Sequence, residues 1–423
     1  MNPRDLLTGS FHAALAAADP LRIVPPHLPH PPAGRTVVVG AGKAAASMAR
    51  AVEAHWPADK PLEGVIITRY GHGLPLERIR VVEAGHPVPD EQGEAAARET
   101  LELAASLGED DLLLVLVSGG GSSLLSMPVP GIAMADLKAV TRSLLASGAP
   151  IQDMNTVRKH LSAIQGGRLV LATRAHVLAL VISDVTGDDP THIASGPCVP
   201  DPTTYRDALD VLQRFGVTPP ASIAAHLARG VEGREPETPK PGDEHFARAQ
   251  TRVIATAHAS LTSAADFVRE QGVAAMLLGD SVTGEASEVA KVYAALARQV
   301  RQHADPVRPP VALISGGETT VTMRGQGRGG RCSEFLLSLV ISLDGLERTW
   351  ALAADTDGID GSEDNAGAIA TPDALARARA KGLEPKKMLA DNDGYGFFSA
   401  LDDLVVTGPT RTNVNDFRII LVQ

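Results

Sequence analysis

Three kinds of segment carry residues suited to chemistry: glycine turns that end apolar runs, cations beside such turns, and aspartates clustered after other apolar runs. The longest turn is Ser118-Gly119-Gly120-Gly121-Ser122-Ser123, where the run 112–117 stops at a hydroxyl and three glycines. Such a turn lets backbone N–H groups approach an anion closely, and Ser122 and Ser123 open a helix either as caps or as phosphate contacts. A second turn, Gly40-Ala41-Gly42-Lys43-Ala44-Ala45, matches the G-x-G-x-x-A pattern that binds dinucleotides when it follows a strand and opens a helix. Lys43, after the second glycine, would put an ammonium beside the bound anion as a phosphate or carboxylate ligand. Arg158, Lys159 and His160 lie in a segment, 155–168, that reads as a helix with cations at its start; they oppose the helix dipole there unless an anion binds. Asp184, Asp188 and Asp189 follow the apolar run 177–182, where carboxylates suit a hard cation such as Mg²⁺ or a general base.

The second half repeats the theme. Ser315-Gly316-Gly317-Glu318-Thr319-Thr320 echoes the first glycine turn, and two such loops from two domains would make a nucleotide cleft. Arg328 and Arg331 open a helix in the same dipole-opposing sense, and Asp355, Asp357 and Asp360 form a second strand-end carboxylate cluster.

To hold these residues at strand ends the chain must alternate strands and helices. Runs at 36–39, 65–68, 80–84, 112–117 and 177–182 read as strands buried on both faces, with helices between them, which is the pattern of a parallel sheet in an α/β fold. Alternation resumes at 252–256 and continues with strands at 274–278, 311–315, 350–353, 404–407 and 418–422 and a long helix over 284–303. The Pro- and charge-rich interval 236–250 reads as a linker, separating an N-terminal domain, 1–235, from a C-terminal region, 251–423.

Composition narrows the classes. A chain of 423 residues exceeds what one core usually serves, so two domains are expected. Aromatics are only 3%, which leaves Leu, Val, Ile and Ala to build the cores. A formal net charge of -11 argues against nucleic acid or an anionic membrane as partner, though not against a small anion held locally. Cys198 and Cys332 have no metal spacing and read as reduced thiols of a cytoplasmic protein; the N-terminal segment reads as an amphipathic helix, not a signal peptide. No apolar stretch reaches the ~20 residues of a membrane span. Gly279 to Ala286 has P-loop glycine spacing but Glu285 and Ala286 where Lys and Ser/Thr are needed, and 355–367 fails as a calcium loop because Asp360 stands where glycine is required. On residues alone a nicotinamide-dependent oxidoreductase and a non-catalytic phosphosugar-binding module stay open beside a phosphoryl-transfer enzyme, although Arg69 ends the second strand where NAD would want an acid.

The collinear motifs GAGKAA, AGHPVPD, SGGGSSLL, NTVRKHLSAIQGGRL, SDVTGDDPTHIASGP, ISGGETTV, GGRxxE, DTDGIDG and GPTRTNVND together resemble the class II glycerate 2-kinases, which end in a MOFRL domain. The resemblance implies a large Rossmann-like α/β/α domain with a mostly parallel sheet plus a smaller α/β domain (MOFRL, about 308–418), with the active site in the interdomain cleft. It implies transfer of a phosphoryl group from ATP, with Mg²⁺, to the 2-hydroxyl of D-glycerate. Members often carry the name hydroxypyruvate reductase, which coincides with the oxidoreductase alternative. By the resemblance Lys43 and Arg331 are catalytic, with Asp184 or Asp188 and Asp357 as acidic partners, and Mg²⁺ falls to Asp184, Asp188, Asp189 and Asp357. Gly42, Ser118, Gly119, Gly120, Gly121, Ser122, Arg158 and Lys159 are expected to bind substrate or phosphate, and Ser315, Gly316, Gly317, Glu318 and Thr319 the nucleotide. A homodimer is admitted by this reading. Cys332, Ser333, Asn365 and Arg411 depart from the family's usual residues.

Overall fold

Residues 2–423 are described by the computed structural model, in which the apolar runs become strands of two sheets. β1 (Thr36–Ala41), β2 (Leu62–Arg69), β3 (Ile79–Ala84), β4 (Leu112–Val117), β5 (His176–Ile182) and β6 (Ala249–Ala255) form the first, in the order β3-β2-β1-β4-β5-β6. β1 and β4 are parallel neighbours, Thr36 opposite Leu112 and Ala41 opposite Val117, and every residue of both is buried. That double burial is why these runs show no polar alternation. Strand order reverses between β1 and β4, so the carboxyl ends of those two strands open onto a topological switch point, where ligands bind in open α/β sheets.

β7 (Ala274–Gly279), β8 (Val311–Ser315), β9 (Thr349–Asp355), β10 (Gly367–Ala370), β11 (Leu404–Val405) and β12 (Asp416–Val422) form a mixed sheet in the order β11-β10-β9-β12-β8-β7. β12 runs antiparallel between β8 and β9, which sets Asp416 at its start opposite Asp355 at the end of β9. Helices Pro3–Ala17 and Ala257–Glu270 cover one face; Gly9 is required where they cross, since a Cβ there would sit 2.5 Å from the Phe267 ring. Ala286–His303 and Arg331–Leu343 cover the other, with Tyr293 and Phe335 edge to face at 5.5 Å. The sheets differ in topology, so the two Ser-Gly-Gly turns are a local likeness and not the trace of a duplicated domain.

Several expectations need correction. Two compact units divide the chain, one being Pro20–Ile254 and the other the residues up to Asp19 with Ala255–Gln423, so the first helix belongs with the C-terminal region. The interval 236–250 is no free linker: Glu237 accepts from His160 Nε2 at 3.0 Å and from Tyr205 N at 3.1 Å, and the Thr238 hydroxyl donates to Asp201 at 3.1 Å. The cation-rich helix is Ile151–Leu161, not 155–168, so Arg158, Lys159 and His160 stand in its last turn, where the dipole favours them and no anion is demanded. Helix Met134–Ala146 and β10 went unread; the first lacks a side-chain cap at Ala133, and the second is only four residues, with Ile369 its one large side chain.

Candidate active site

In the unit Pro20–Ile254 the turns after β1 and β4 interlock. Lys43 N donates to Gly119 O at 2.8 Å, Ala44 N to Ser118 Oγ at 3.0 Å, and Thr68 Oγ1 to Gly42 O at 3.0 Å. Gly42 is held so close that a Cβ would lie 2.1 Å from Ser118 Oγ. Gly120, at φ +82°, turns the chain into the short helix Gly121–Leu124; a Cβ on it would lie 2.9 Å from the His86 ring and 3.6 Å from Lys43 Cγ. The expected residues Gly42, Lys43, Ser118, Gly119, Gly120, Gly121 and Ser122 are therefore gathered at the switch point, and His86 joins them. Among the described residues the N–H groups of Gly119, Gly120 and Ser122 have no protein acceptor, as first-turn donors beside a left-handed glycine would be.

The electrostatics of this corner are positive. Burial, then the charges of Lys43, Arg69, His72 and Arg158, push the His86 imidazole down to about 3, so it is neutral at physiological pH. Arg158 is lowered by burial to about 10 and stays charged; its Nη1 donates to Asn155 Oδ1 at 3.2 Å. Ser195 Oγ lies 3.1 Å from the same Asn155 oxygen and 3.0 Å from Ser122 Oγ, tying Arg158 to the glycine turn. Ala194 and Ser195 hold this position with left-handed backbones, φ 49° and 57°, a strained arrangement for residues with a Cβ. Lys159 is elsewhere: 1% exposed, it pairs with the buried Asp201 at 3.0 Å. Its ammonium is committed to the fold, which removes it from the substrate set.

Asp184 and Asp188 are half-buried in the loop that follows β5, Asp188 at φ 54°. Asp189 is exposed and spends Oδ1 on Thr191 N at 2.9 Å. Among the described residues no group of three or more His, Cys, Asp or Glu side chains is arranged to hold a metal ion.

The second unit builds its own cluster at the carboxyl ends of β8 and β9. Arg331, the first residue of helix Arg331–Leu343, is gripped by three carboxylates: Nε by Asp416 at 2.7 Å, Nη1 by Glu318 at 2.6 Å and Nη2 by Asp355 at 2.8 Å. Burial opposes its charge, but Asp416, Asp355 and Glu318 more than offset this and raise the guanidinium above its ordinary pKa. Arg331 opens its helix, and acids rather than a bound anion answer the dipole. Asp416 also binds Arg418, which in turn donates to Gly316 O and Thr319 Oγ1 and so fixes the loop after β8. Of the expected nucleotide residues, Gly316, Gly317 and Thr319 hold that loop, Glu318 projects from it, and Ser315 Oγ is buried with no partner among the described residues. Asp357 is buried and caps a turn, accepting from Ile359 N at 2.9 Å. Asp360, buried, accepts from the N–H groups of Cys332 and Ser333 at 2.9 and 2.8 Å; burial raises it to about 6 against those bonds.

Comparison with known proteins places the chain in a family. Residues 6–228 match the model described as a domain of unknown function, DUF4147, and residues 311–416 match the MOFRL family. A D-glycerate 2-kinase of Thermotoga maritima is 39% identical over 412 residues, spanning 97% of this chain and 96% of that one. The chain belongs to the class II glycerate 2-kinase family. A crystal structure of a glycerate kinase from Thermotoga maritima matches with a TM-score of 0.86 at 38% identity, covering 98% of each chain. A protein of Agrobacterium vitis that bears a hydroxypyruvate reductase name is 49% identical over 425 residues, 100% of this chain and 95% of its own. For a glycerate 2-kinase family member the departures are readable. Cys332 and Ser333 serve Asp360 through backbone N–H groups, which any residue but proline supplies. Asn365 is buried and donates to Gly367 O at 3.1 Å. Arg411 sits at φ 60°, a region glycine enters freely and a residue with a Cβ adopts less readily.

Sequence reasoning missed His86, Asn155, Ser195 and Asp416 as site residues, and read Asp355 as part of a carboxylate cluster without its pairing to Arg331. His86 was visible as a polar residue in a proline-rich turn after a strand, but nothing in the sequence brings that turn against Gly120. Asp416 gave one signal, its place between an Asn-rich turn and an apolar strand.

Proposed function

We propose that the chain phosphorylates D-glycerate at its 2-hydroxyl, using ATP and giving 2-phosphoglycerate and ADP. What carries the reading is the set of unclaimed N–H groups at Gly119, Gly120 and Ser122, beside Lys43 in a cationic corner at a switch point. The printed activity of its relatives in Thermotoga maritima and Pyrococcus horikoshii, the latter 39% identical over 392 residues (92% of this chain, 88% of its own), supports it. Phosphoryl transfer asks little covalent work of a protein beyond positioning and neutralising charge. In this proposal the glycine turn and Lys43 hold oxygens of the moving phosphoryl group, and Arg158, steadied by Asn155, takes the glycerate carboxylate. One of Asp184 and Asp188 accepts the proton of the 2-hydroxyl as the new O–P bond forms and ADP leaves. Arg331 and the loop Ser315 to Thr319 serve the nucleotide phosphates.

Mg²⁺, when bound, would supply positive charge against the phosphates. The hard oxygen donors after β5 fit it, since Mg²⁺ usually takes one or two carboxylates and completes its shell with phosphates and water. The other member of the Asp184 and Asp188 pair would hold it; Asp189 and Asp357 accept from the backbone N–H groups of Thr191 and Ile359. No helix among the described residues is long and apolar enough to cross a membrane, both cysteines are buried and free, and we assign the activity to the cytoplasm.

The hydroxypyruvate reductase name on a relative makes an NAD(P)-dependent enzyme the rival. Against it, four consecutive N–H groups of the dinucleotide-like turn, Gly42 to Ala45, are occupied by Ile67 O, Gly119 O, Ser118 Oγ and Gly42 O. A pyrophosphate would find none of those donors open. Measuring ADP release and NAD(P)H absorbance side by side decides: ADP formation requiring both D-glycerate and Mg²⁺ is expected. Glycerate-dependent cofactor reduction without ADP would overturn the proposal.

A further inference from the structure

The three carboxylates on Arg331 are not equivalent. Asp416 and Asp355 have side chains 0% and 6% exposed, whereas Glu318 is 55% exposed. Asp416 also binds Arg418, and Asp355 Oδ1 also accepts from Asp357 N at 2.9 Å. Withdrawing either would strand a buried charge, which is costly. Glu318 can return to water at little cost, because an exposed ion pair contributes little. The backbone beneath it is fixed: Gly316 N donates to Gly279 O at 2.9 Å, Asp416 N to Gly317 O at 3.2 Å, and Thr320 N to Gly284 O at 2.8 Å. Only the side chain of Glu318 has freedom to move, and exposed side chains change rotamer within nanoseconds.

We propose that Glu318 is a resident counter-anion: it occupies the outer Nη1 edge of Arg331 in the free enzyme and yields that edge to a phosphate oxygen of the bound nucleotide. The inference rests on the assignment of Arg331 to nucleotide phosphates made above. Guanidinium suits such an exchange because its planar fork donates to carboxylate and phosphate oxygens in the same geometry. The two buried aspartates keep the fork oriented throughout, so the exchange moves no backbone. Its consequence is a threshold: a stray anion must displace a tethered carboxylate, while a nucleotide with further contacts can.

The test is ADP binding by calorimetry, with and without Mg²⁺, to the full chain and to Glu318→Gln, which keeps the shape and removes the charge. An exposed pair of this kind predicts about two- to five-fold tighter ADP binding in the variant, with Mg²⁺ absent as well as present. Unchanged or weaker binding without Mg²⁺ overturns the exchange, as does weakening confined to the Mg²⁺ arm, which would make Glu318 a metal contact. Arg331→Lys, chosen to keep a charge between the buried aspartates and checked for an unchanged melting temperature, separates the two layers. Should Arg331→Lys leave ADP affinity unaltered, the nucleotide role of Arg331 falls and the exchange with it. If it weakens ADP and abolishes the Glu318→Gln gain, both stand.

Discussion

Replacing Lys159 by Met distinguishes a lysine that holds the fold from one that holds substrate. Its ammonium is 1% exposed and lies 3.0 Å from Asp201, whose own side chain is 0% exposed. Removing one partner of a buried pair costs about 3–5 kcal/mol because the other charge is left uncompensated. Asp201 would keep three donors, Thr203 N at 3.0 Å, Thr203 Oγ1 at 2.7 Å and Thr238 Oγ1 at 3.1 Å, which argues for the lower end, about 3 kcal/mol. For a unit of this size that is a fall of roughly 6–12 °C in melting temperature, from about 2–4 °C per kcal/mol. Lys159→Met with Asp201→Leu should recover much of it, since paired removal leaves no buried charge. Scanning calorimetry reads the melting, and steady-state kinetics well below the transition should show KM for D-glycerate unaltered. A variant with unchanged melting and a raised KM would refute the structural assignment and return Lys159 to the substrate site.

Lys43→Ala should lower kcat by about 10²–10³, the usual loss when one charge-stabilising donor is removed, with unchanged melting; near-normal turnover would contradict its placement. Gly120→Ala should cost roughly 1–2 kcal/mol from its left-handed backbone alone and displace His86 or Lys43, lowering activity more than a stability loss of that size predicts. His86 is depressed from 6.5 to about 3, so between those pH values the unfolded chain binds a proton that the folded chain does not. Stability from this group is therefore complete above about pH 6.5 and is lost as pH falls toward about 3; the His86 imidazole signals in NMR should not titrate between about pH 5 and 8.

How much of this was legible in the sequence follows from range. β4 and its turn could be read directly, because an unbroken apolar run ending in three glycines has few other meanings. The position of Lys43 in its turn is readable for the same reason: strand, turn and helix are contiguous. The helix Ile151–Leu161 was misplaced because Pro150 begins it without a side-chain cap, so its cations were assigned to the wrong end. Burial of Lys159 was unreadable, since its partner Asp201 lies beyond two further helical turns and a strand. Likewise the grip on Arg331 depends on β12 entering antiparallel between β8 and β9, a pairing that strand patterns do not specify. Family motifs marked Arg331 without revealing what holds it.

Incubating the protein with ATP, Mg²⁺ and D-glycerate and following the mixture by phosphorus NMR tests the central claim most directly. The account predicts a phosphate monoester on the 2-hydroxyl, rising in step with ADP and forming about 10²–10³ times more slowly with Lys43→Ala. A 3-phospho ester would contradict the positional assignment, and ATP left intact while glycerate is oxidised by NAD(P) would contradict the reaction itself.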